Sequence, residues 1–232
     1  MNITAKRTDV DARARSKPPR LLSGLTPDQR KIVLQSAELQ KFPANAVIIN
    51  SGDPASSLFL LKKGRVKYYR LTKKGGEVLI GLVAPGETFG LGTLLAEPMS
   101  YLGTAEAIDD CELFVWRRKQ LMTPAATQEL LGKNALHILM YYLAEFTDRL
   151  VGMTSETADQ RLARTVLGLC RRTGHILPAG VEISITNEQL GGLANVSAFT
   201  ASRQLKQWER QGVIQKRRGK MLIFNPELLL ID

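Results

Sequence analysis

An α+β fold in two parts is predicted by three features of the 232-residue sequence. Short apolar runs separated by glycine, proline and charged pairs occupy residues 42–116, which is typical of an antiparallel β-roll of the jelly-roll type. Apolar residues at helical spacing in residues 136–153 indicate one long helix. Residues 185–224 then combine two helix starts with two short strands, the pattern of a helix-turn-helix followed by a wing.

The chain is basic, with a formal charge of +10 from 32 Lys and Arg against 22 Asp and Glu. Such an excess favours a polyanionic partner or an acidic surface. Much of it lies in residues 1–22, which we expect to form a mobile basic tail, and in residues 203–220. The second group coincides with the predicted helix-turn-helix and wing, where phosphate contacts are needed for binding to nucleic acid.

Cysteine content and hydropathy indicate the compartment. The two cysteines, Cys111 and Cys170, make neither a disulfide framework nor a metal-binding pair, which is typical of a reducing cytoplasm. The N-terminus is charged and lacks the apolar core of a secretion signal. No apolar run approaches the ~18 residues of a membrane span. We therefore expect a cytoplasmic protein with no membrane partner.

The first domain is predicted to span residues 23–118 and to begin with a helix. Thr26 and Gln29 form a capping box around Pro27, and the helix should continue to about Gln40. Its apolar side chains available for burial are Ile32, Val33 and Leu39. The strands predicted for the roll are Val47–Ile49, Leu58–Leu61, Val66–Leu71, Val78–Val83, Tyr101–Ala107 and Leu113–Trp116.

A helical region is predicted in residues 119–156, interrupted near Thr123-Pro124. Six of its apolar residues alternate spacings of three and four, as in the a/d seam of a coiled coil of about three heptads. They are Leu136, Leu139, Leu143, Phe146, Leu150 and Met153, and we call them the seam. The helix either packs in the core of one protomer or pairs with its copy in a parallel homodimer. We favour the homodimer, because a helix lying on its own domain would bury a wider apolar stripe than this one.

The C-terminal domain is predicted to span residues 157–232. A small, polar joint is predicted in residues 154–159. Within it Thr157 forms a capping box with Gln160, which should begin a helix over residues 161–172. Further along, Thr186 and Gln189 form another capping box, and Ser197 caps the next helix after a short connection. On that next helix, the expected outward side chains are Thr200, Arg203, Gln204 and Gln207. The expected buried side chains are Ala201, Leu205 and Trp208.

Residues 213–224 complete the motif with two predicted strands around a basic turn at Arg218-Gly219. Two short helices joined by a tight turn, with a strand pair behind them, describe a winged helix-turn-helix. The other interpretation is a small helical packing unit without nucleic acid. Motif and charge together favour DNA binding.

The order of these parts resembles the CRP/FNR superfamily of bacterial transcription regulators over roughly residues 25–225. The matching segments are Gly52-Asp53-Pro54, Leu58-Phe59-Leu60-Leu61 with Lys63-Gly64-Arg65-Val66, Pro85-Gly86-Glu87-Thr88-Phe89-Gly90, Ala158-Asp159-Gln160-Arg161-Leu162-Ala163, and Ile185 to Ile214. The resemblance implies a cyclic-nucleotide-binding-like roll, a dimerisation helix, double-stranded DNA with an inverted repeat as partner, and RNA polymerase as a further partner. Single pieces are weak signals, whereas the ordered set is specific.

The resemblance also assigns roles in DNA binding. The residues implied to read bases are Ala198, Phe199, Ser202 and Arg203. Those implied to approach phosphates are Thr186, Ser197, Thr200, Arg218 and Lys220. An arginine in this position suits guanine O6 and N7, a contact worth ~1–3 kcal/mol of discrimination. For Arg203 the alternative is a phosphate or intrahelical contact.

Phe199 departs from the family pattern, which often has a glutamate there that reads cytosine or adenine. A phenylalanine cannot accept a hydrogen bond, so the target should differ from the common family palindrome. The ring either packs on a thymine methyl group or only shields the helix. The two readings remain open.

The implied effector pocket also departs from the family pattern. Cyclic-nucleotide members carry a glutamate in the loop and an Arg-Ser pair on the next strand, where this chain has Leu91, Tyr101 and Leu102. A phosphodiester buried without arginine loses several kcal/mol of charge compensation. Cyclic AMP is therefore not expected, and the roll either takes an apolar ligand or is filled by side chains. The residues assigned to the pocket are Glu87, Phe89, Leu91, Tyr101 and Leu102.

No cofactor is expected. No cysteine precedes Cys111, which excludes the iron–sulfur arrangement of the oxygen-sensing branch, and the two histidines, His137 and His175, suggest neither a haem pair nor a metal site. Catalytic triads and Gly-rich phosphate loops are absent, so an enzyme is not expected. We expect a homodimeric, sequence-specific DNA-binding transcription regulator. The alternative is a ligand-sensing module whose winged helix docks onto another protein.

Overall fold

The computed structural model describes residues 20–95, 97, 99–121, 125–217 and 219–230. These residues form two units, 20–145 and 146–230. Most of the predicted tail, the predicted helix interruption at Thr123-Pro124, and Arg218 lie outside the described residues. Among the described helices, none combines the length and the apolar content that a membrane crossing demands.

The first unit contains the roll. Its elements are α1 (Pro27–Gln35), β1 (Glu38–Phe42), β2 (Val47–Ile49), β3 (Ser57–Lys63), β4 (Val66–Leu71), β5 (Glu77–Val83), β6 (Thr88–Phe89), β7 (Thr104–Ala107), β8 (Cys111–Arg117) and the beginning of α2 (Ala125–Ser155). The strands form two antiparallel sheets in the orders β1-β8-β3-β6 and β2-β7-β4-β5. The β-roll prediction is confirmed.

Alternation along β3 separates two apolar cores. Phe59 and Leu61 point into the roll, where both sheets contribute to one buried cluster. Leu58 and Leu60 point to the other face, against α1 and the first part of α2. Trp116 lies in this outer cluster, and its Nε1 donates to the carbonyl oxygen of Val33 at 2.8 Å. The outer cluster therefore fixes both helices to the roll.

The first helix is shorter than predicted. Its capping box at Thr26 is confirmed, but the helix ends at Gln35 and the following residues form β1. β1 pairs with β8, beginning with Glu38 opposite Val115. The hydrogen bonds to β8 stabilise the extended conformation of these residues, although the spacing of their apolar side chains also suits a helix. Val33 is buried as expected, whereas Ile32 and Leu39 are about half exposed.

The strands of the roll include two that were not predicted and one that begins later than predicted. β1 and β6 were not expected, since β6 has two residues and β1 reads as helix. The strand predicted to begin at Tyr101 begins at Thr104. Tyr101 lies before this strand, where its backbone is hydrogen-bonded to Gly52 and Asp53 and its hydroxyl group contacts the backbone of Ser57.

Helix α2 runs without a break from Ala125 to Ser155. Residues 125–145 belong to the first unit and residues 146–155 to the second. Leu131, Ala135 and Ile138 are buried in the outer cluster of the roll. The seam lies on a different stripe, and all six of its side chains are 43–65% exposed. The interpretation that the seam is core of a single protomer is therefore wrong for these residues.

The second unit is the winged helix-turn-helix. After the end of α2 it contains α3 (Ala158–Thr173), β9 (His175–Leu177), β10 (Gly180–Ser184), α4 (Asn187–Ala194), α5 (Ala198–Arg210), β11 (Ile214–Arg217) and β12 (Lys220–Ile223). The strands form one antiparallel sheet in the order β11-β12-β10-β9. The capping box at Thr157 and the predicted wing strands are confirmed, whereas β9 and β10 were not expected. Helix α3 packs against α4, α5 and β10, and its side chains Leu162, Val166 and Leu169 are buried.

Candidate nucleic-acid interface

Local hydrogen bonds define the two helix starts of the motif. Thr186 Oγ1 accepts from Gln189 N at 3.2 Å, and Gln189 Oε1 accepts from Thr186 N at 3.1 Å. Ser197 Oγ accepts from Thr200 N at 3.0 Å and lies 2.8 Å from Thr200 Oγ1. Thr186, Ser197 and Thr200, implied to approach phosphates, therefore sit at two helix N-termini, where backbone N–H groups favour an anion.

The turn between α4 and α5 is set by two backbone features. Asn195 adopts a left-handed conformation with φ of 52°, which an asparagine tolerates better than most residues. Gly191 lies against the next turn so closely that a Cβ there would be 2.8 Å from the carbonyl oxygen of Val196. The turn therefore requires a glycine at this position, and the sequence supplies it.

Helix α5 presents a polar and basic face with one aromatic side chain. Ala201, Leu205 and Trp208 are buried, as predicted. The base-reading candidates lie on the other side: Phe199 and Arg203 are exposed, and Ala198 and Ser202 are partly exposed. Phe199, Ser202 and Arg203 share one stripe because they are three and four residues apart. Arg203 makes no hydrogen bond or ion pair with the described part of the chain, so its guanidinium group is available to a base or a phosphate.

The prediction that Gln204 lies on the outward face of α5 is wrong. Its side chain is 6% exposed and lies in the core of the second unit. The hydrogen-bonding pattern directs its amide nitrogen at Asp159, 3.0 and 3.2 Å from the two carboxylate oxygens, and lets its amide oxygen accept from Trp208 Nε1 at 3.0 Å. The prediction failed because helical spacing does not reveal that a neighbouring helix supplies polar partners for a buried amide.

The wing and the N-terminus of α4 border a cleft of about 430 Å³. Its lining includes Ile185, Thr186, Asn187, Glu188, Leu205, Lys216, Arg217, Gly219, Lys220 and Met221. Lys216 ties the wing to both helices: its Nζ donates to Asn187 Oδ1 at 3.1 Å, and its backbone N donates to Glu209 Oε1 at 2.9 Å. The cleft thus has basic side chains next to a helix N-terminus, an arrangement that suits a phosphate.

Lys220 lies in the wing as predicted, but its ammonium group is paired with a carboxylate. Its Nζ lies 2.8 Å from Glu182 Oε1 in the neighbouring strand β10. The hydrogen bond from Lys220 lowers the pKa of the Glu182 carboxyl group, so this carboxyl group is ionised at neutral pH. Arg218, the other wing residue implied to contact phosphate, lies outside the described residues.

Two arginines that the sequence did not single out join the end of α2 to the motif. Arg161 Nη1 donates to the carbonyl oxygen of Glu156 at 2.7 Å, and its Nε donates to the carbonyl oxygen of Ala194 at 3.1 Å. Arg164 pairs with the Glu156 carboxylate at 2.8 Å and donates to the carbonyl oxygen of Asp148 at 3.2 Å. Together they connect the joint to the last residue of α4.

The five residues assigned to the effector pocket do not face a common space. Phe89 stacks on Phe59 with centroids 4.9 Å apart and planes 7° apart, and both rings belong to the interior cluster with Tyr101. The Tyr101 hydroxyl group is 2.9 Å from both the N and the O of Ser57.

The other three lie elsewhere. Glu87 is buried, and its carboxylate accepts from Ala84 N at 3.0 Å. Leu91 belongs to the outer cluster, and Leu102 is 68% exposed.

Within the described residues, no group of three or more His, Cys, Asp or Glu side chains is arranged to hold a metal ion. Burial raises the pKa of the Cys170 thiol to about 11, which keeps it protonated and unreactive at neutral pH. Burial likewise raises the pKa of Cys111.

Comparisons with known proteins agree with this architecture. Residues 39–127 match the cyclic nucleotide-binding domain, and residues 160–230 match the Crp-like helix-turn-helix domain. The cyclic AMP receptor protein of Thermus thermophilus is 28% identical over 209 residues, which cover 90% of this chain and 94% of that protein.

Solved structures share the fold. FixK2 from Bradyrhizobium japonicum superposes with a TM-score of 0.73 at 22% identity, covering 83% of this chain and 95% of that one. A CRP/FNR-family transcriptional regulator from Thermus thermophilus superposes with a TM-score of 0.66 at 24% identity, covering 83% and 96%. The name of this last protein describes a transcriptional regulator. The chain belongs to the CRP/FNR superfamily of transcription regulators, and its second unit is their DNA-binding helix-turn-helix.

Proposed function

We propose that this regulator binds DNA as a homodimer, with α5 in the major groove and the seam of α2 as the dimer contact. The observation that carries the proposal is the exposure of the seam, 43–65% for each of its six apolar side chains. An apolar stripe of this extent is costly in water and marks an interaction surface.

The spacing of the seam supports a second copy of the chain as its partner. Alternate steps of three and four residues are the repeat that lets two helices supercoil with their a and d positions interlocked. The same stripe on an identical helix is complementary to it, which gives a two-fold axis. Two winged helices related by that axis fit two half-sites about 34 Å apart, one turn of DNA, on an inverted repeat.

The roll is proposed not to respond to cyclic AMP. The positions where nucleotide-binding members have an arginine and a serine are Tyr101 and Leu102, and neither offers a positive charge to a phosphodiester. The Tyr101 hydroxyl group is hydrogen-bonded to Ser57, and the stacked rings of Phe59 and Phe89 occupy the interior. Because the Thermus thermophilus relative is named for cyclic AMP, DNA binding should be measured with and without this nucleotide. We expect equal affinities.

The proposed role is non-catalytic. The proposed location is the cytoplasm, because the DNA target and RNA polymerase, the proposed further partner, are found in that compartment. The test is selection of bound duplexes from a random pool, followed by native mass spectrometry of the complex. We expect an inverted repeat with half-site centres about 10 base pairs apart and two protein chains per duplex. An ungapped asymmetric site bound by one chain contradicts the homodimer. Binding to no duplex at any salt concentration favours the alternative role, in which the winged helix docks onto a protein.

A further inference from the structure

Phe199 is an exposed aromatic residue on an otherwise polar and basic helix face. It lies in the first turn of α5, and 77% of its surface is accessible. Its ring makes no aromatic or cation–π contact with any described residue. A ring that shielded the helix would lose most of this exposure, so the shielding interpretation does not account for it.

The other side chains of the first turn leave Phe199 as the group that reaches outward. Ala198 is short, and the Thr200 hydroxyl group is 2.8 Å from Ser197 Oγ in the helix cap. The N-terminal residues of a recognition helix are the ones that meet base edges. The first contact of this helix with the groove is therefore apolar.

The chemistry of the major groove determines which group of a base Phe199 can contact. A phenyl ring cannot donate or accept a hydrogen bond to a base edge, and it has no charge to offer a phosphate. In the major groove the apolar group is the C5 methyl of thymine. We propose that Phe199 reads a thymine through this methyl group; the inference rests on the proposed DNA binding and specifies its target.

The position of the thymine follows from the spacing to Arg203. Four residues separate the two side chains, a rise of about 6 Å along the helix. Base pairs are about 3.4 Å apart, so this rise spans at most about two base pairs, and the thymine lies within about two base pairs of the base that Arg203 contacts. The predicted half-site thus pairs a methyl contact with an arginine contact, in place of the acidic contact common in the family.

The experiment replaces thymine by deoxyuridine, which removes only the methyl group and keeps the base pair. Each thymine of the selected duplex is exchanged in turn, in both half-sites together, and affinities are measured at one salt concentration. We expect one position at which wild-type affinity falls about fifteenfold, about fourfold for each half-site, the value of one buried methyl group. Phe199→Ala should bind both duplexes equally, and Phe199→Leu should retain the difference.

A matched variant serves as the control. Phe224→Ala removes a partly exposed phenylalanine outside α5 and should keep the methyl effect. The inference is overturned if the wild type binds its selected duplex but no deoxyuridine exchange matters, or if Phe199→Ala keeps the wild-type ratio. Failure to bind any duplex instead overturns the proposed function and the inference with it. Unchanged thermal unfolding of Phe199→Ala shows that the fold is intact.

Discussion

Gln204 in the recognition helix α5 is hydrogen-bonded to Asp159 in the first turn of α3, with its amide nitrogen 3.0 Å from the nearer carboxylate oxygen. The same amide accepts from Trp208 Nε1. One buried side chain therefore links α5, the proposed DNA-reading helix, to α3. This link orients the recognition helix within its own unit.

Gln204→Ala tests the link. Removing the amide leaves the buried indole N–H of Trp208 without its acceptor, which should lower the free energy of unfolding by about 1–3 kcal/mol. Urea denaturation with hydrogen exchange of residues 198–210 measures both the size and the location of the effect. Gln207→Ala, one turn further on the exposed side, should change stability by less than about 0.5 kcal/mol. Equal effects of the two substitutions contradict the assigned hydrogen bonds.

Arg203→Ala tests base reading. We expect the preference for the selected duplex over a random one to fall by ~1–3 kcal/mol, the value of a bidentate guanine contact. Replacing the contacted guanine by 7-deazaguanine removes one acceptor and should weaken the wild type but not the variant. Arg210→Ala, an exposed arginine in the last turn of the same helix, is the control. If Arg203→Ala instead weakens the selected and the random duplex equally, Arg203 is a phosphate contact.

Glu182→Gln tests the counter-charge on Lys220. With the carboxylate removed, Lys220 is free to contact a phosphate, so affinity for all duplexes should rise while discrimination is unchanged. The slope of log affinity against log salt should become steeper by up to about one. Glu112→Gln, which breaks the Lys62–Glu112 pair in the roll, makes the same charge change away from the wing. A matching increase in that control would indicate a net-charge effect only.

Leu143→Glu tests the seam. A carboxylate at the centre of a coiled-coil interface is buried without a partner, so the variant should be monomeric at concentrations where the wild type is dimeric. Sedimentation analysis measures the mass, and affinity for the inverted repeat should fall with it. His137→Glu places the same charge on an exposed position beside the seam and should remain dimeric. A dimeric Leu143→Glu variant would place the interface elsewhere.

Asp109→Asn tests how the stability of the roll depends on pH. Arg65 donates to both Asp109 oxygens, at 2.6 and 2.9 Å, and this hydrogen bonding lowers the pKa of Asp109. Because the folded-state pKa is below the unfolded one, the stabilisation is complete above the unfolded pKa of about 4 and is lost as the pH falls through the folded pKa. The variant should lose about 1 kcal/mol at pH 7, since both groups are partly exposed. Its deficit should shrink below about pH 4 in acid denaturation; a constant deficit contradicts the pairing.

Much of the fold is predictable from residues that are close in sequence. The capping boxes at Thr26, Thr157 and Thr186 mark three helix starts correctly, because each depends on hydrogen bonds between residues three apart. The wing strands were found for the same local reason, from apolar runs around a glycine turn. The end of α1 was not, since β1 exists only by pairing with β8, far along the chain.

The candidate interface divides in the same way. Its helices, caps and basic composition follow from the sequence, and so do the positions of Phe199 and Arg203 on one stripe. The burial of Gln204, the pairing of Lys220 with Glu182, and the arginine contacts of the joint depend on segments that meet only in the folded chain. No local pattern encodes which distant group will face a polar side chain.

The sequence by itself therefore determined the order of the parts, the helix starts and the apolar seam, because each depends on the types of residues that stand two to four positions apart. Tertiary structure alone decided which of the polar side chains of α5 are available to DNA, which wing lysine is already paired, and that the implied effector residues are dispersed. The physical reason is that burial and charge pairing are properties of contacts between distant segments, and these are fixed only when the cores close.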